Sequence, residues 1–388
     1  MTELAARGHQ SAVYTLADER QPLAQAGIEA WPVDSVIESS EIGDWRERSL
    51  IRNARSVLRT FTERASVEAP DLKRAIDRHD PDVLLIDINC WGAAIAAEAS
   101  KRPWAIYSPY LPPLPSRDAP PFGLGLAPMQ GALGTLRDEL VRRVTDQTMD
   151  RLVMPSLAKL RARRGLPTVD HFSDLPGRAP LLLALTAEGF EYPRRDWPAN
   201  VRLVGPINWG PLQEAPTWLA SMPEPLVLVT CSSDRQGDER LIEVPLEALP
   251  TAGMSVIATT AAHDPSTFDT PPGARVVRFL PHEPVLNRAA CVVCHGGLGI
   301  TQKALTAGVP VVVVPFGRDQ LETARRVEFA EAGVRLSPRR LSPARLTKAV
   351  RTAIDRRAGA ERVSRIFRAA GGQAAAAAAI EAIGRGAP

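Results

Sequence analysis

Short apolar runs alternate with amphipathic stretches along most of the chain, and this pattern predicts strands alternating with helices. The clearest series lies in the second half. A run at 226–230 (LVLVT) is followed by a helical stretch at 240–249 and apolar runs at 255–260 and 275–279. Another run at 290–294 leads to a helix at 300–307 and a nearly all-valine strand at 309–314. Runs that do not alternate with polar residues predict strands buried on both faces, as in parallel sheets. Gly308 stands where a helix ends on a C′ glycine. After Leu341 the pattern is helical, and the alanine run within 373–384 has high helix propensity.

The first half shows the same alternation less evenly. Strands are predicted at 28–33, 83–86, 103–107, 181–186 and 201–204, with helices at 46–64, 71–78 and 91–100. A long helical stretch at 132–163 is expected to be interrupted at Pro155. Its Arg142-Arg143 and 161–164 arginine clusters are expected on solvated faces. Residues 1–8 have the pattern of the back half of an amphipathic helix, and 9–15 that of a strand. A doubly wound domain normally opens with a strand and a turn that feed such a helix. The first strand is therefore expected to be missing. The segment around Pro206, Pro211, Pro216, Pro223 and Pro225 has little periodicity and is the best domain boundary.

Composition narrows the class. A chain of 388 residues, 45% apolar and 23% charged, suits two ordinary globular domains. A net charge of +3 with no basic block interleaved with aromatics argues against nucleic acid. No apolar run approaches the ~20 residues of a membrane span, and no signal-peptide pattern opens the chain; a cytoplasmic protein is expected. Lysine stands only at 73, 101, 159, 303 and 348, and arginine, alanine and proline are abundant, as in GC-rich bacteria. Cys291 and Cys294 are three apart within a strand, so their thiols should face opposite sides of the sheet. Buried thiols are expected rather than a metal or redox pair.

The candidate chemistry gathers at His295-Gly296-Gly297-Leu298-Gly299, between a strand and a helix. Free backbone N–H groups at such a helix start form an anion site, and His295 adds a charge-capable donor. A ligand bearing phosphate is the first expectation. Asp87 closes the apolar run 83–86, at the strand end where open α/β sheets meet ligands. It is either functional or a cap for the helix at 91–100. Asp80-Pro81-Asp82 precedes its strand and is expected to be a solvated turn. Residues 110–130 form a long Pro- and Gly-rich loop with several large apolar side chains. Such a loop is a ligand-binding element or a flap packed on the core.

The order of the segment 279–336 resembles the nucleotide-sugar signature of glycosyltransferase family 1, the GT-B enzymes that glycosylate small molecules. The matches are Phe279, Pro281 and His282; His295, Gly297 and Gly299; Ala304-Leu305-Thr306-Ala307-Gly308-Val309-Pro310; and Asp319-Gln320. Weaker similarity extends over most of the chain, and the bacterial natural-product, macrolide-type members are the most similar in character. The resemblance implies an α/β GT-B fold: two Rossmann-like, doubly wound parallel-sheet domains facing across a cleft. Residues 1–208 would form the acceptor-binding domain, without its first strand, and 209–225 the linker. Residues 226–370 would form the nucleotide-sugar domain, and 371–388 a helix crossing back to the first.

The resemblance also implies roles. Phe279 would stack on the donor base, with His282 near base or ribose. Ser233, His295, Gly297, Gly299 and Thr301 would face the phosphates, and Asp319 and Gln320 would hold sugar hydroxyls. Ser233 is also readable as a plain turn or helix-cap residue. Asp87 would orient and charge a catalytic histidine, for whose turn the sequence offers no residue. Trp91, Phe122 and Met129 would line the acceptor pocket. Family members usually carry Ser or Thr where Ile300 stands and often Glu where Lys303 stands, so the donor pattern departs at both. No metal and no cofactor is implied; the nucleotide sugar is a co-substrate.

The implied function is an inverting, metal-independent transfer of a sugar from a UDP- or dTDP-type donor to a hydroxyl of a hydrophobic natural product. Two other readings stay open: a non-catalytic nucleotide-sugar binder or helper subunit, and a GT-B sugar-nucleotide epimerase.

Overall fold

The computed structural model describes residues 1–40, 50–209, 214–232 and 237–386. In the first half, α1 (Thr2–Ala6), β1 (Ala12–Thr15), α2 (Ala17–Gln25), β2 (Glu29–Pro32) and α3 (Ser35–Glu38) precede the long α4 (Leu50–His79). Then come β3 (Leu84–Asp87), α5 (Trp91–Ser100), β4 (Trp104–Ser108), α6 (Ala132–Ala162), β5 (Leu181–Ala184) and β6 (Val201–Leu203). The parallel strands of this half form two pieces, β1-β2 and β3-β4-β5-β6.

The second half opens with β7 (Leu226–Thr230), α7 (Arg240–Ala248), β8 (Ser255–Thr259), β9 (Ala274–Val277) and α8 (His282–Leu286). It continues through β10 (Ala289–Cys294), α9 (Leu298–Thr306), β11 (Val311–Val313), α10 (Gln320–Phe329) and β12 (Gly333–Arg335). Three helices end the chain: α11 (Pro343–Asp355), α12 (Arg357–Ala369) and α13 (Gly372–Gly384). The six strands are all parallel in the order β12-β11-β10-β7-β8-β9, so the winding reverses between β7 and β10. That is the doubly wound order, with its ligand crevice at the reversal.

Alternate residues of each strand supply the two faces of the sheet. Leu226 and Leu228 belong to one apolar core and Val227 and Val229 to the other. Cys294 lies in the first core and Cys291 in the second, on opposite faces as their spacing requires. The first half repeats the pattern, with Leu182 on one face and Leu181 and Leu183 on the other. Ala376 of α13 packs into that second face with Ala105 and Val204, so the C-terminal helix covers the N-terminal sheet. Leu111, Ala187 and Phe190 from the first half enter the core of the second, making the contact between the halves apolar and close.

Three expectations are corrected. The helices expected at 46–64 and 71–78 are one helix, α4, as far as the described residues go, with Pro70 inside it. The helix at 132–162 likewise runs through Pro155 without interruption. In both cases proline removes one backbone hydrogen bond. Burial of Ala65 and Ala69 around the first, and of Val153, Met154 and Leu157 around the second, holds the helix together. Arg161 is not on a solvated face: it is 1% exposed, with Nη1 donating to Glu98 Oε2 at 2.6 Å and Nε to the carbonyl of Pro167 at 3.0 Å. Asp80 does sit in a turn before β3, its carboxylate exposed beside Arg102.

Candidate active site

The donor half is built along the C-terminal edge of the second sheet. Register places Thr230 beside both Cys294 and Thr259, and Cys294 beside Val313. The turns that follow these strands therefore stand in one row. At one end, the Thr259 hydroxyl lies 3.3 Å from His282 Nε2 at the start of α8. Burial, and then Lys303, push the His282 imidazole down to about 4, so it is neutral at physiological pH. Phe279, just past β9, is 63% exposed and offers an open aromatic face.

In the middle of the row, His295 follows β10 and α9 begins three residues later. Gly296 has φ +100°, and a Cβ there would fall 2.6 Å from Val313 Cγ1 and 3.3 Å from the Gln320 carbonyl oxygen. Only glycine allows this turn to press against the end of β11 and the first residue of α10. The His295 ring lies over Gly297, where a Cβ would come 2.5 Å from Nε2. Around Gly299 there is open space. Gly297 is the N-cap of α9 and contributes no side chain, so the first amides of the helix are not covered by a capping group.

Thr301 is completely buried; its hydroxyl donates back to the Gly297 carbonyl at 2.9 Å. Ile300 packs against the apolar core. Gln320 is also buried, and its side-chain oxygen accepts from the amides of Phe316 and Gly317 at 2.7 and 3.1 Å, closing the loop before α10. Asp319 is half-buried at the head of that helix, and burial pushes its carboxyl up. Ser233 lies outside the described residues.

The acceptor half centres on Asp87, the last residue of β3. Its carboxylate accepts from the Asn89 amide at 2.8 Å. Burial raises its pKa against the opposing effects of Asn89 and the Tyr107 hydroxyl. Trp91 is buried between Phe61 and Phe172, with ring centroids at 5.5 and 4.9 Å. Phe122 leans on Tyr110 at 6.1 Å and packs against the core of the second half. Met129 is exposed. The structure thus sets Asp87 and Phe122 near one another through Tyr110, while Trp91 sits in a helix-packing layer.

Several residues at the site carry no sequence motif. Tyr110 donates to Asn89 Oδ1 at 2.9 Å, and with burial both Asp87 and Asp319 raise its pKa, so it stands between the two halves. Asp238, just before α7, is fully buried. It accepts from the Ser232 amide at 2.8 Å and lies 3.1 Å from His263 Nε2. Cys231, Asp238 and His263 form a group, among the described residues, whose potential metal-ligand atoms lie within 4.8 Å of one another. Each is already engaged: the Cys231 thiol, pushed up to about 12 chiefly by burial, donates to the Thr260 carbonyl at 3.0 Å. These hydrogen bonds tie Cys231 and Ser232, at the end of β7, to Thr260, Asp238 and His263.

Glu68, on α4, is another. It is 3% exposed, and its Oε2 accepts from the Gly92 amide at the head of α5 at 2.9 Å. Burial outweighs Arg64 and pushes its carboxyl up to about 7. A glutamate in the unfolded chain titrates near 4.5. Between these values the folded state holds the extra proton, so stability falls as pH rises through that window and levels off above it. Glu68→Gln is expected to flatten this dependence by ~3 kcal/mol. Denaturant unfolding at pH 4.5 and 8 measures it, and an unchanged difference would reject the assignment.

A doubly wound sheet with its helix start and histidine at the reversal, facing a second parallel-sheet half, defines a two-domain α/β architecture. Solved structures agree on the fold. The calicheamicin glycosyltransferase CalG4 superposes over 100% of this chain and 94% of its own, with TM-score 0.75 and 22% identity. The glycosyltransferase VinC, in complex with dTDP, superposes over 99% and 94%, with TM-score 0.67 and 20% identity. The fold is GT-B. In sequence, 4'-demethylrebeccamycin synthase of Lentzea aerocolonigenes is 32% identical over 371 residues, covering 91% of this chain and 87% of the relative. Residues 245–381 match the family described as erythromycin biosynthesis protein CIII-like, C-terminal domain. The chain belongs to glycosyltransferase family 1, among its antibiotic and natural-product glycosyltransferases. Among the described residues, no helix is long and apolar enough to cross a membrane.

Proposed function

We propose that this enzyme is an inverting, metal-independent glycosyltransferase of the cytoplasm. It would move a sugar from a UDP- or dTDP-type nucleotide sugar to a hydroxyl of a hydrophobic natural product. The observation that carries this reading is the row His282, His295, Gly297 and Gly299, and Asp319 with Gln320, along one sheet edge at the winding reversal. On this reading residues 226–370 bind the donor, residues 1–208 bind the acceptor, 209–225 link them, and 371–388 return to the acceptor domain.

The chemistry follows from that placement. Attack of the acceptor oxygen on the anomeric carbon forms the new glycosidic bond as the bond from that carbon to the diphosphate oxygen breaks. Charge develops on the leaving diphosphate, where the first α9 amides, the helix dipole and His295 are aimed. Phe279 offers its exposed ring to the base, and neutral His282 a hydrogen bond near base or ribose. Ser233 would add a phosphate contact. Thr301 is turned into its own helix, so backbone amides carry the phosphate contacts there. Asp319, with the Gln320 amide group, would bind sugar hydroxyls. Attack from the face opposite the diphosphate inverts the anomeric centre. On this reading Asp87 would lie on that face, where its carboxylate would orient and charge the group that takes the acceptor proton. Phe122 and Met129 are the proposed apolar walls; Trp91, buried between Phe61 and Phe172, supports the helix layer instead.

The test is donor consumption, followed by release of UDP or dTDP, with and without hydrophobic hydroxylated acceptors. Acceptor-dependent release with a β-linked product from an α-linked donor is the expected result. Donor turnover without acceptor into an epimerised sugar nucleotide, or nucleotide binding with no turnover under any acceptor, would replace this reading.

A further inference from the structure

Building on the acceptor role proposed above for residues 110–130, we propose that Glu322 is a positioning residue. It couples occupancy of the donor site to the order of the acceptor loop. Glu322 lies in the first turn of α10, two residues after Gln320, and is 1% exposed. One oxygen, Oε1, accepts from the amide of Gly123 at 2.8 Å and from that of Gly125 at 2.7 Å. The other pairs with Arg326 one turn along the helix. A carboxylate buried in this way is otherwise rarely found without partners of opposite charge. Here its charge is shared between a guanidinium of its own domain and two amides of the other.

The contacts around it are made to the same few residues of the loop. Arg325 Nε donates to the Gly125 carbonyl at 3.0 Å. Arg326 donates through Nε and Nη2 to Glu191 Oε2, both at 3.2 Å, and its guanidinium lies 4.0 Å over the Tyr192 ring. The Tyr192 hydroxyl in turn donates to the Leu126 carbonyl at 3.2 Å. Gly125 has φ +57°, and a Cβ there would stand 2.7 Å from the Leu321 carbonyl oxygen, so the loop backbone lies directly on α10. The loop belongs to no strand or helix. Its amides at 123 and 125 are satisfied by this one carboxylate.

A sugar held by Asp319 and Gln320 engages the head of the same helical turn. Differential contact with the donor can therefore bias the position of Glu322, and with it the loop. The loop carries Phe122 beside Tyr110, and Leu124 and Met129 exposed. Ordering it presents an apolar wall after the donor is in place, which gives an ordered mechanism with the donor bound first.

Hydrogen exchange read by mass spectrometry over residues 120–128 tests this. Wild type, Glu322→Gln and Glu322→Ala are compared with and without UDP-glucose and dTDP-glucose, and binding of each nucleotide is measured by calorimetry. Donor is expected to slow exchange of the loop about tenfold in wild type. In Glu322→Ala the loop should exchange about tenfold faster at rest and lose its response to donor, while donor affinity changes less than about threefold. Glu322→Gln keeps an acceptor oxygen but not the charge opposite Arg326, and should fall between. Unaltered donor protection in Glu322→Ala overturns the coupling. So does loss of donor binding and melting temperature together in both variants, which would make Glu322 a plain structural residue. If wild type binds neither sugar nucleotide, the donor assignment itself falls and the coupling with it; a bound donor without loop protection removes the coupling alone.

Discussion

Replacing His295 by alanine is expected to lower kcat by about 10²–10³, the usual cost of one pre-aimed donor at a site of developing charge. The imidazole is placed by backbone constraints rather than by chance. The last three residues of β10 are paired on both sides, so Cys294 is fixed between Thr230 and Val313. Gly296 then turns the chain in a left-handed conformation that a side chain could not adopt against Val313. Gly297 leaves room for the ring beside the start of α9. A truncated side chain removes the ring and leaves those amides in place. Binding of UDP or dTDP should therefore weaken by much less than turnover, and the melting temperature should hardly move. Steady-state release of nucleotide with saturating donor measures the effect. Turnover within about threefold of wild type would falsify the phosphate-facing role.

The second large effect is on stability. Arg326→Ala is expected to destabilise the protein by about 3–5 kcal/mol, the cost of removing one member of a buried ion-pair network. Arg326 is 1% exposed and sits between Glu191 and Glu322, each also 1% exposed. Burial works against its charge, but Glu191, Tyr192 and Glu322 together outweigh it and raise its pKa. Without the guanidinium, two carboxylates from the two halves of the molecule face each other in a site that excludes water. Combining Arg326→Met with Glu191→Gln and Glu322→Gln should recover much of the lost stability, because neutral groups replace all three charges. Urea unfolding of the single and triple variants distinguishes this from simple loss of volume. Equal destabilisation in both would mean that packing, and not charge, dominates at Arg326.

The second half was legible because its strands are buried on both faces. LVLVT at 226–230 and the valines at 309–314 cannot be hidden except inside a parallel sheet, and the glycines at 296, 297 and 308 mark where the chain must turn. The donor residues lie in that same stretch, so motif and fold reinforced each other. The first half was harder. Periodicity split one helix into 46–64 and 71–78, and Pro155 suggested a break in another, yet both are long helices whose burial compensates for the hydrogen bond lost at Pro70 and at Pro155. Arg161 looked solvated because local spacing does not show that Glu98 waits for it across the fold, or that the chain past the helix brings back the Pro167 carbonyl.

By itself, then, the sequence determined the alternating α/β layers of the donor half, the strand-turn-helix with His295, and membership in a sugar-transferring family. Those features depend on residues close together in the chain, where periodicity and backbone conformation are decided locally. Only the tertiary structure decided which groups face one another from distant segments. Glu322 meets the amides of Gly123 and Gly125, Glu68 caps the helix that follows Asp87, and Tyr110 stands between Asp87 and Asp319. An isolated glutamate or tyrosine carries no mark of its partner. Burial and electrostatic pairing arise when the two halves pack, and they give those residues the properties proposed for them.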